Sequence, residues 1–168
     1  DDELVKAFQQ KIPVHNYLSI KRWWQRSFDG EKSVCWPGKI PFFALSSGTT
    51  DQASKYIPVS LEMKKALIRS SLRQIWHIAR CKNVPAETVA KHSLMIGGST
   101  DLNFNGINYS GDLSGITTGN VPFWFEPFSK PDMEIRKKRN WQEKITEIVN
   151  EAPNWDVGMV AGVPAWVI

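Results

Sequence analysis

Ile40-Pro41-Phe42-Phe43-Ala44-Leu45 runs directly into Ser46-Ser47-Gly48-Thr49-Thr50, and this junction decides the fold class. The apolar run is too short for a helix and is preceded by Pro37-Gly38, so it reads as a buried strand. The strand empties into a turn of small hydroxylated residues. Residues 55–59 then form a short extended piece containing Pro58, and Ser60 is a good N-cap for a helix.

That helix is the longest element. Leu61, Lys65, Ile68, Leu72, Ile75, Trp76 and Ala79 recur at three- and four-residue steps, with Arg69, Arg73 and Arg80 among the polar positions and Asn83 with Pro85 marking its end. Upstream, Leu4, Val5, Phe8 and Ile12 predict a helix over residues 1–11, and a second amphipathic stretch covers 17–28. Downstream, residues 93–96 and 156–161 read as strands. Asn105-Gly106 predicts a hairpin with a type I′ turn, in which both central residues take positive φ. Asn140 with Glu143 resembles a capping box opening a helix whose Trp141, Ile145, Ile148, Val149 and Ala152 share a face. Strands alternating with helices predict an α/β protein, a mixed sheet with flanking helices and some parallel pairing. Pro164 sits where a further helix would begin, with Trp166, Val167 and Ile168 in its first turn. Residues 1–168 thus read as a single partial domain, a fragment of a longer chain.

Composition narrows the class. The 168 residues are 42% hydrophobic and 23% charged, which excludes collagenous, disordered and disulfide-scaffold chains. A chain of this size buries roughly 70% of its unfolded surface without staples. Cys35 and Cys81 stand far apart, outside any CxxC spacing, so a reducing cytoplasm fits best. The formal charge of +4 is too mild to mark a nucleic-acid binder. No run approaches a membrane span, and Asp1-Asp2-Glu3 is acidic where a signal peptide is basic.

The loop at residues 46–50 carries the chemistry. Small residues let several backbone N–H groups face one anion, Ser46, Ser47, Thr49 and Thr50 bring hydroxyls, Gly48 permits the tight turn, and Lys55 offers an ammonium. That is a phosphate cradle, although not a Walker loop, since there is one glycine and Tyr56 follows the lysine. From composition alone, an ordinary Ser/Thr-rich surface turn is the competing reading.

Phe43-Ala44-Leu45-Ser46-Ser47-Gly48-Thr49-Thr50 followed by Ser54-Lys55-Tyr56-Ile57-Pro58 resembles the first nucleotide motif of the acyl acid amido synthetases. These form the auxin-conjugating branch of the adenylate-forming superfamily, which also holds acyl-CoA ligases and firefly luciferase. Gly111-Asp112-Leu113-Ser114, Trp141-Gln142-Glu143-Lys144-Ile145 and Ala161-Gly162-Val163-Pro164-Ala165-Trp166 continue the resemblance in order. It is most specific over residues 42–58. The resemblance implies a fragment of the large N-terminal domain of an adenylate-forming enzyme. It further implies that a carboxylate attacks the α-phosphate of ATP, giving an acyl-adenylate that an amine converts to an amide. In that reading the cofactor-binding residues are Ser46, Ser47, Gly48, Thr49, Thr50 and Lys55, and the cofactors are ATP and Mg²⁺. The magnesium ligand, the later nucleotide motifs and a mobile C-terminal domain belong to segments beyond these residues, so the fragment alone is expected to be inactive. Expected partners are a small carboxylic acid and an amine such as an amino acid, with no nucleic acid or membrane. Bare apolar surface on a truncated sheet further implies self-association.

Other residues compete with plainer readings. Arg69 and Arg73, one turn apart, are candidates for the acyl carboxylate, against a solvated helix face. Ser99, Thr100, Asn103, Asp112 and Ser114 are candidates for the acyl pocket, against hairpin and cap chemistry. His15, His77 and His92 lack ligand spacing, so no metal site is expected. No GxSxG elbow supports serine hydrolysis. Arg136-Lys137-Lys138-Arg139 reads as a solvated loop before a helix, and the tryptophans, Trp23-Trp24 and Trp124 among them, as packing residues. Alternatives to amide formation are thioester formation with coenzyme A, a non-catalytic nucleotide- or phosphate-binding module, and a basic nucleic-acid binder.

Overall fold

Along β1 (Phe42–Leu45) successive side chains point to opposite faces, and each face carries its own helix. Ala44 joins Val59 and Ile116 of α4 (Leu113–Thr118) in a buried cluster, with Phe42, Ile57 and Leu102 packed against it. Phe43 turns the other way and meets Phe28 of α2 (Tyr17–Phe28) edge to face at 5.0 Å. This computed structural model describes residues 2–46 and 54–163. Ser47, Gly48, Thr49 and Thr50, and the expected helix start at Pro164, lie outside them.

β1 pairs antiparallel with β2 (Tyr56–Val59), from Phe42↔Val59 to Leu45↔Tyr56, and parallel with β5 (Tyr109–Gly111). With β4 (Asn103–Phe104) on the far side, the order is β2-β1-β5-β4. Pro58 is tolerated because β2 is an edge strand, whose outer side needs no backbone donor. The remaining strands form a second, wholly parallel sheet. Its centre is β3 (His92–Ile96), flanked by β6 (Ser129–Lys130) and β7 (Val157–Gly162). The mixed α/β architecture is present, with its strands divided between one mixed and one parallel sheet.

The helix signals translate into caps. Ser60 Oγ accepts from the Met63 N–H at 3.0 Å and opens α3 (Leu61–Ala79), which ends at Arg80, short of Asn83. Asn140 Oδ1 accepts from the N–H groups of Gln142 and Glu143 at 3.0 and 3.2 Å and opens α6 (Trp141–Glu151). Its Nδ2 donates to Glu143 Oε1 at 3.0 Å, so the box closes side chain to side chain. α6 packs with α5 (Met133–Lys137), and together they cover the second sheet. Leu94, Ile135 and Ile148 are buried there, with Ile96, Ile145, Trp155 and Val157 around them.

Three expectations are corrected, and one predicted helix carries a bare apolar stripe. Val149 is 63% exposed, because it follows Ile148 by 100° and leaves the buried stripe, where Lys144 sits instead. The hairpin pairs Phe104 with Tyr109 across a four-residue loop, so its turn is not type I′. Only Gly106 takes positive φ there, and Asn105 Oδ1 accepts from the Ile107 and Asn108 N–H groups, both at 2.9 Å. Helix α1 (Asp2–Lys11) forms, yet its stripe of Leu4, Val5, Phe8 and Ile12 stands exposed. The basic run is not a uniformly solvated loop: Arg136 is buried on α5, paired with Glu126 and donating to Thr118 O at 3.0 Å. No helix among the described residues is long and apolar enough to cross a membrane.

Ile116→Ala is expected to lower stability by about 2–5 kcal/mol and Val149→Ala by under about 0.5 kcal/mol. Urea unfolding of the two variants side by side measures the contrast.

Candidate functional site

Because β1 and β5 run parallel, their carboxyl ends lie side by side, and the chain leaves both at one edge of the sheet. Ligands of α/β proteins gather at such edges. From β1 the chain enters Ser46, and from β5 it enters Asp112 and α4.

Ser46 and Lys55 form the neck of the phosphate-loop candidate. The Ser46 N–H donates to Lys55 O at 3.1 Å, and the Lys55 N–H donates to Ser46 Oγ at the same distance. The Lys55 ammonium lies 5.2 Å from the Tyr17 ring centroid and meets no carboxylate among the described residues.

The third participant is the turn after β3. The Gly98 N–H donates to Ser114 Oγ at 2.9 Å, which ties the turn to the first residues of α4. Two glycines make the approach possible. A Cβ on Gly98 would stand 2.3 Å from Asp112 Oδ2, and one on Gly115 would stand 2.0 Å from Ser99 O. These glycines let protein approach protein.

Lys144 holds this junction from beneath. Its side chain is 2% exposed, and Nζ donates to Gly97 O at 2.9 Å, Gly98 O at 3.0 Å and Arg136 O at 3.1 Å. Burial, helped by the nearby Arg136 charge and opposed by Asp112, draws its pKa down to about 8. Sequence reading passed over this residue, because a lysine in a polar helix run carries no sign of burial. The available signal was its place four residues before Ile148, on the stripe that faces the sheet.

Two cavities flank the junction. The first, about 370 Å³, is apolar and lies between α3 and α4, with Leu67, Ile68, Leu72, Ile75, Met95 and Phe125 among its walls and Ser114 at its side. The second, about 430 Å³, is polar and includes Leu45, Gly98, Ser99, Asp101, Asn103, Asp112, Arg139 and Lys144. The acyl-pocket candidates are thus split between two cavities. Ser114 faces the apolar one, while Ser99, Asn103 and Asp112 face the polar one. Ser99 Oγ is already bound, donating to Lys137 O at 2.6 Å and accepting from the Asp101 N–H at 3.1 Å. Thr100 lines neither cavity, and its N–H donates to Arg136 O at 3.0 Å.

Arg69 and Arg73 are not brought to either cavity. A step of 100° per residue turns them away from the face carrying Ile68, Leu72 and Ile75. Arg69 instead lines a separate hollow with Trp24, Trp36 and Glu62, and Arg73 is exposed. The basic run is largely committed internally, with Lys138 on Glu147 at 2.8 Å and Arg139 on Asp101 at 2.7 Å. Cys35 and Cys81 are free.

The lowered pKa of Lys144 makes stability pH-dependent in a definite direction. In unfolded chain a lysine titrates near ~10.4, so between about pH 8 and ~10.4 the unfolded state binds more protons and this group's contribution rises with pH. Wild type should therefore gain on Lys144→Met across that window, by at most about 1.4 kcal/mol per pH unit, and hold a constant difference below it. Denaturant titrations from pH 7 to 10 read the sign.

Comparison with known proteins adds one match. The model of the GH3 family N-terminal domain matches residues 1–99, which run from α1 through the loop and α3 to the turn after β3. No curated protein matches the chain.

Proposed function

The chain belongs to the GH3 family, which includes auxin-conjugating acyl acid amido synthetases, and from that premise we propose that it is part of an ATP-dependent, amide-forming ligase. The enzyme activates a carboxylic acid as acyl-AMP and passes the acyl group to an amine. The observation that carries this reading is the Ser46–Lys55 neck, where backbone bonds bring the two ends of a Ser/Thr/Gly-rich stretch together at the carboxyl end of β1 and the Lys55 ammonium meets no carboxylate among the described residues. The loop itself lies outside the described residues.

The chemistry of the neck suits ATP. A carboxylate is a poor electrophile, and its activation depends on holding the phosphates in place and offsetting their charge. Lys55 supplies charge, while Ser46 fixes where the loop starts. The loop residues Ser47, Gly48, Thr49 and Thr50 would contribute backbone donors and hydroxyls. ATP supplies the adenylyl group, and Mg²⁺ is expected to accompany it. Among the described residues no group of three His, Cys, Asp or Glu side chains is placed to hold a metal.

The apolar cavity supports the choice of acid. At about 370 Å³, walled by Leu, Ile, Met and Phe side chains, it suits a carboxylic acid with a compact apolar body. Among the described residues no lysine or arginine lines it, so in this reading the acid's carboxylate faces the nucleotide instead of an internal counter-ion. Activity requires that it face that way.

Acid-dependent exchange of pyrophosphate into ATP by the full-length protein tests the proposal. Lys55→Ala should lower the exchange rate on the order of 10- to 100-fold, as loss of a charge-assisted contact does. Ile68→Trp, which fills the apolar cavity, should raise KM for the acid with little change in KM for ATP. Exchange with no acid in a broad panel would overturn the reading.

A further inference from the structure

Asp112 stands at the N-cap position of α4 but makes no capping hydrogen bond. An aspartate at that position ordinarily accepts from the N–H two or three residues on. Its carboxylate is exposed in the polar cavity and, although its charge acts on the Lys144 ammonium, it has no hydrogen-bond or ion-pair partner among the described residues. Room for it exists only because residue 98 is glycine, since a Cβ there would lie 2.3 Å from Oδ2. The neighbouring wall is fixed as well: the Lys144 ammonium holds the Gly98 carbonyl at 3.0 Å, and the Gly98 N–H is held by Ser114. A carboxylate kept uncapped and unpaired on a rigid wall is set up to receive a cation.

We propose that Asp112 anchors the ammonium group of the acceptor amine, and that the polar cavity is the acceptor's subsite. The inference rests on the amide-forming reading above and goes beyond it by assigning the second substrate a place. Asp112 and Ser114 lie two residues apart at the start of α4, one facing the polar cavity and the other the apolar one. Acceptor and acid thus approach from opposite sides of the same short segment, beside the edge where β1 delivers the phosphate loop. Arg139 lines the same polar cavity and spends its Nε on Asp101, which leaves its terminal nitrogens for an acceptor that carries a carboxylate. The acceptor class that fits both ends is an amino acid.

Two half-reactions measured on the full-length protein test this. Asp112→Asn keeps a good N-cap residue and removes only the charge. KM for the best acceptor in a panel of amino acids is expected to rise at least about tenfold, while acid-dependent pyrophosphate exchange changes less than about twofold. Gly98→Ala, which displaces the carboxylate, should raise the same KM in the same direction. An unchanged acceptor KM in Asp112→Asn overturns the proposal. So does an equal loss in both half-reactions, or exchange by wild type without amide formation from any amino acid. Absence of exchange in wild type would instead overturn the adenylation reading itself.

Discussion

Three hydrogens on one buried ammonium organise the site. Lys144 reaches from α6 to the carbonyls of Gly97 and Gly98 at the end of β3 and of Arg136 near the end of α5. A buried charge is costly unless its donors are satisfied, and here each of the three has an acceptor. Everything near the site depends on that arrangement. The Gly97-Gly98 turn is held in the second sheet's frame and, through Ser114, bonded to the helix that follows the first sheet, so the two sheets meet at a defined junction.

The two cores do different work. Ala44, Val59 and Ile116 press α4 onto β1, which sets the start of α4 level with the exit of β1. Leu94, Ile135 and Ile148 press α5 and α6 onto the second sheet, which brings Lys144 under the turn. The first core therefore aligns the loop neck with Asp112, and the second supplies the cation that fixes the wall between the two cavities. Glycine matters at this seam because a single Cβ at residue 98 or 115 would occupy space already held by Asp112 or Ser99.

That seam separates an apolar hollow from a polar one within a few residues of α4. In an enzyme that joins an acid to an amine, the two substrates differ in this respect, one needing apolar contact and the other needing its charge met. The chain leaves β1 at the same edge.

Local signals in the chain wrote the elements themselves. The apolar run at residues 40–45, the Ser60 and Asn140 caps, and the three- and four-residue recurrence from Leu61 to Ala79 depend on neighbours in sequence, and each corresponds to an observed element. The family was legible for the same reason, its motifs being contiguous. Burial of Lys144 and Arg136, the exposure of Val149 and the turning away of Arg69 were not legible. Each depends on which face of a helix meets which sheet, a matter settled by packing between segments distant in the chain. The division of Asp112 and Ser114 between two cavities has the same origin. Sequence by itself thus determined the elements and their caps and pointed to the family, because those signals are short-range. Tertiary structure alone decided which side chains share a cavity, because a helix step of 100° and the division of strands between two sheets are resolved only when the faces meet.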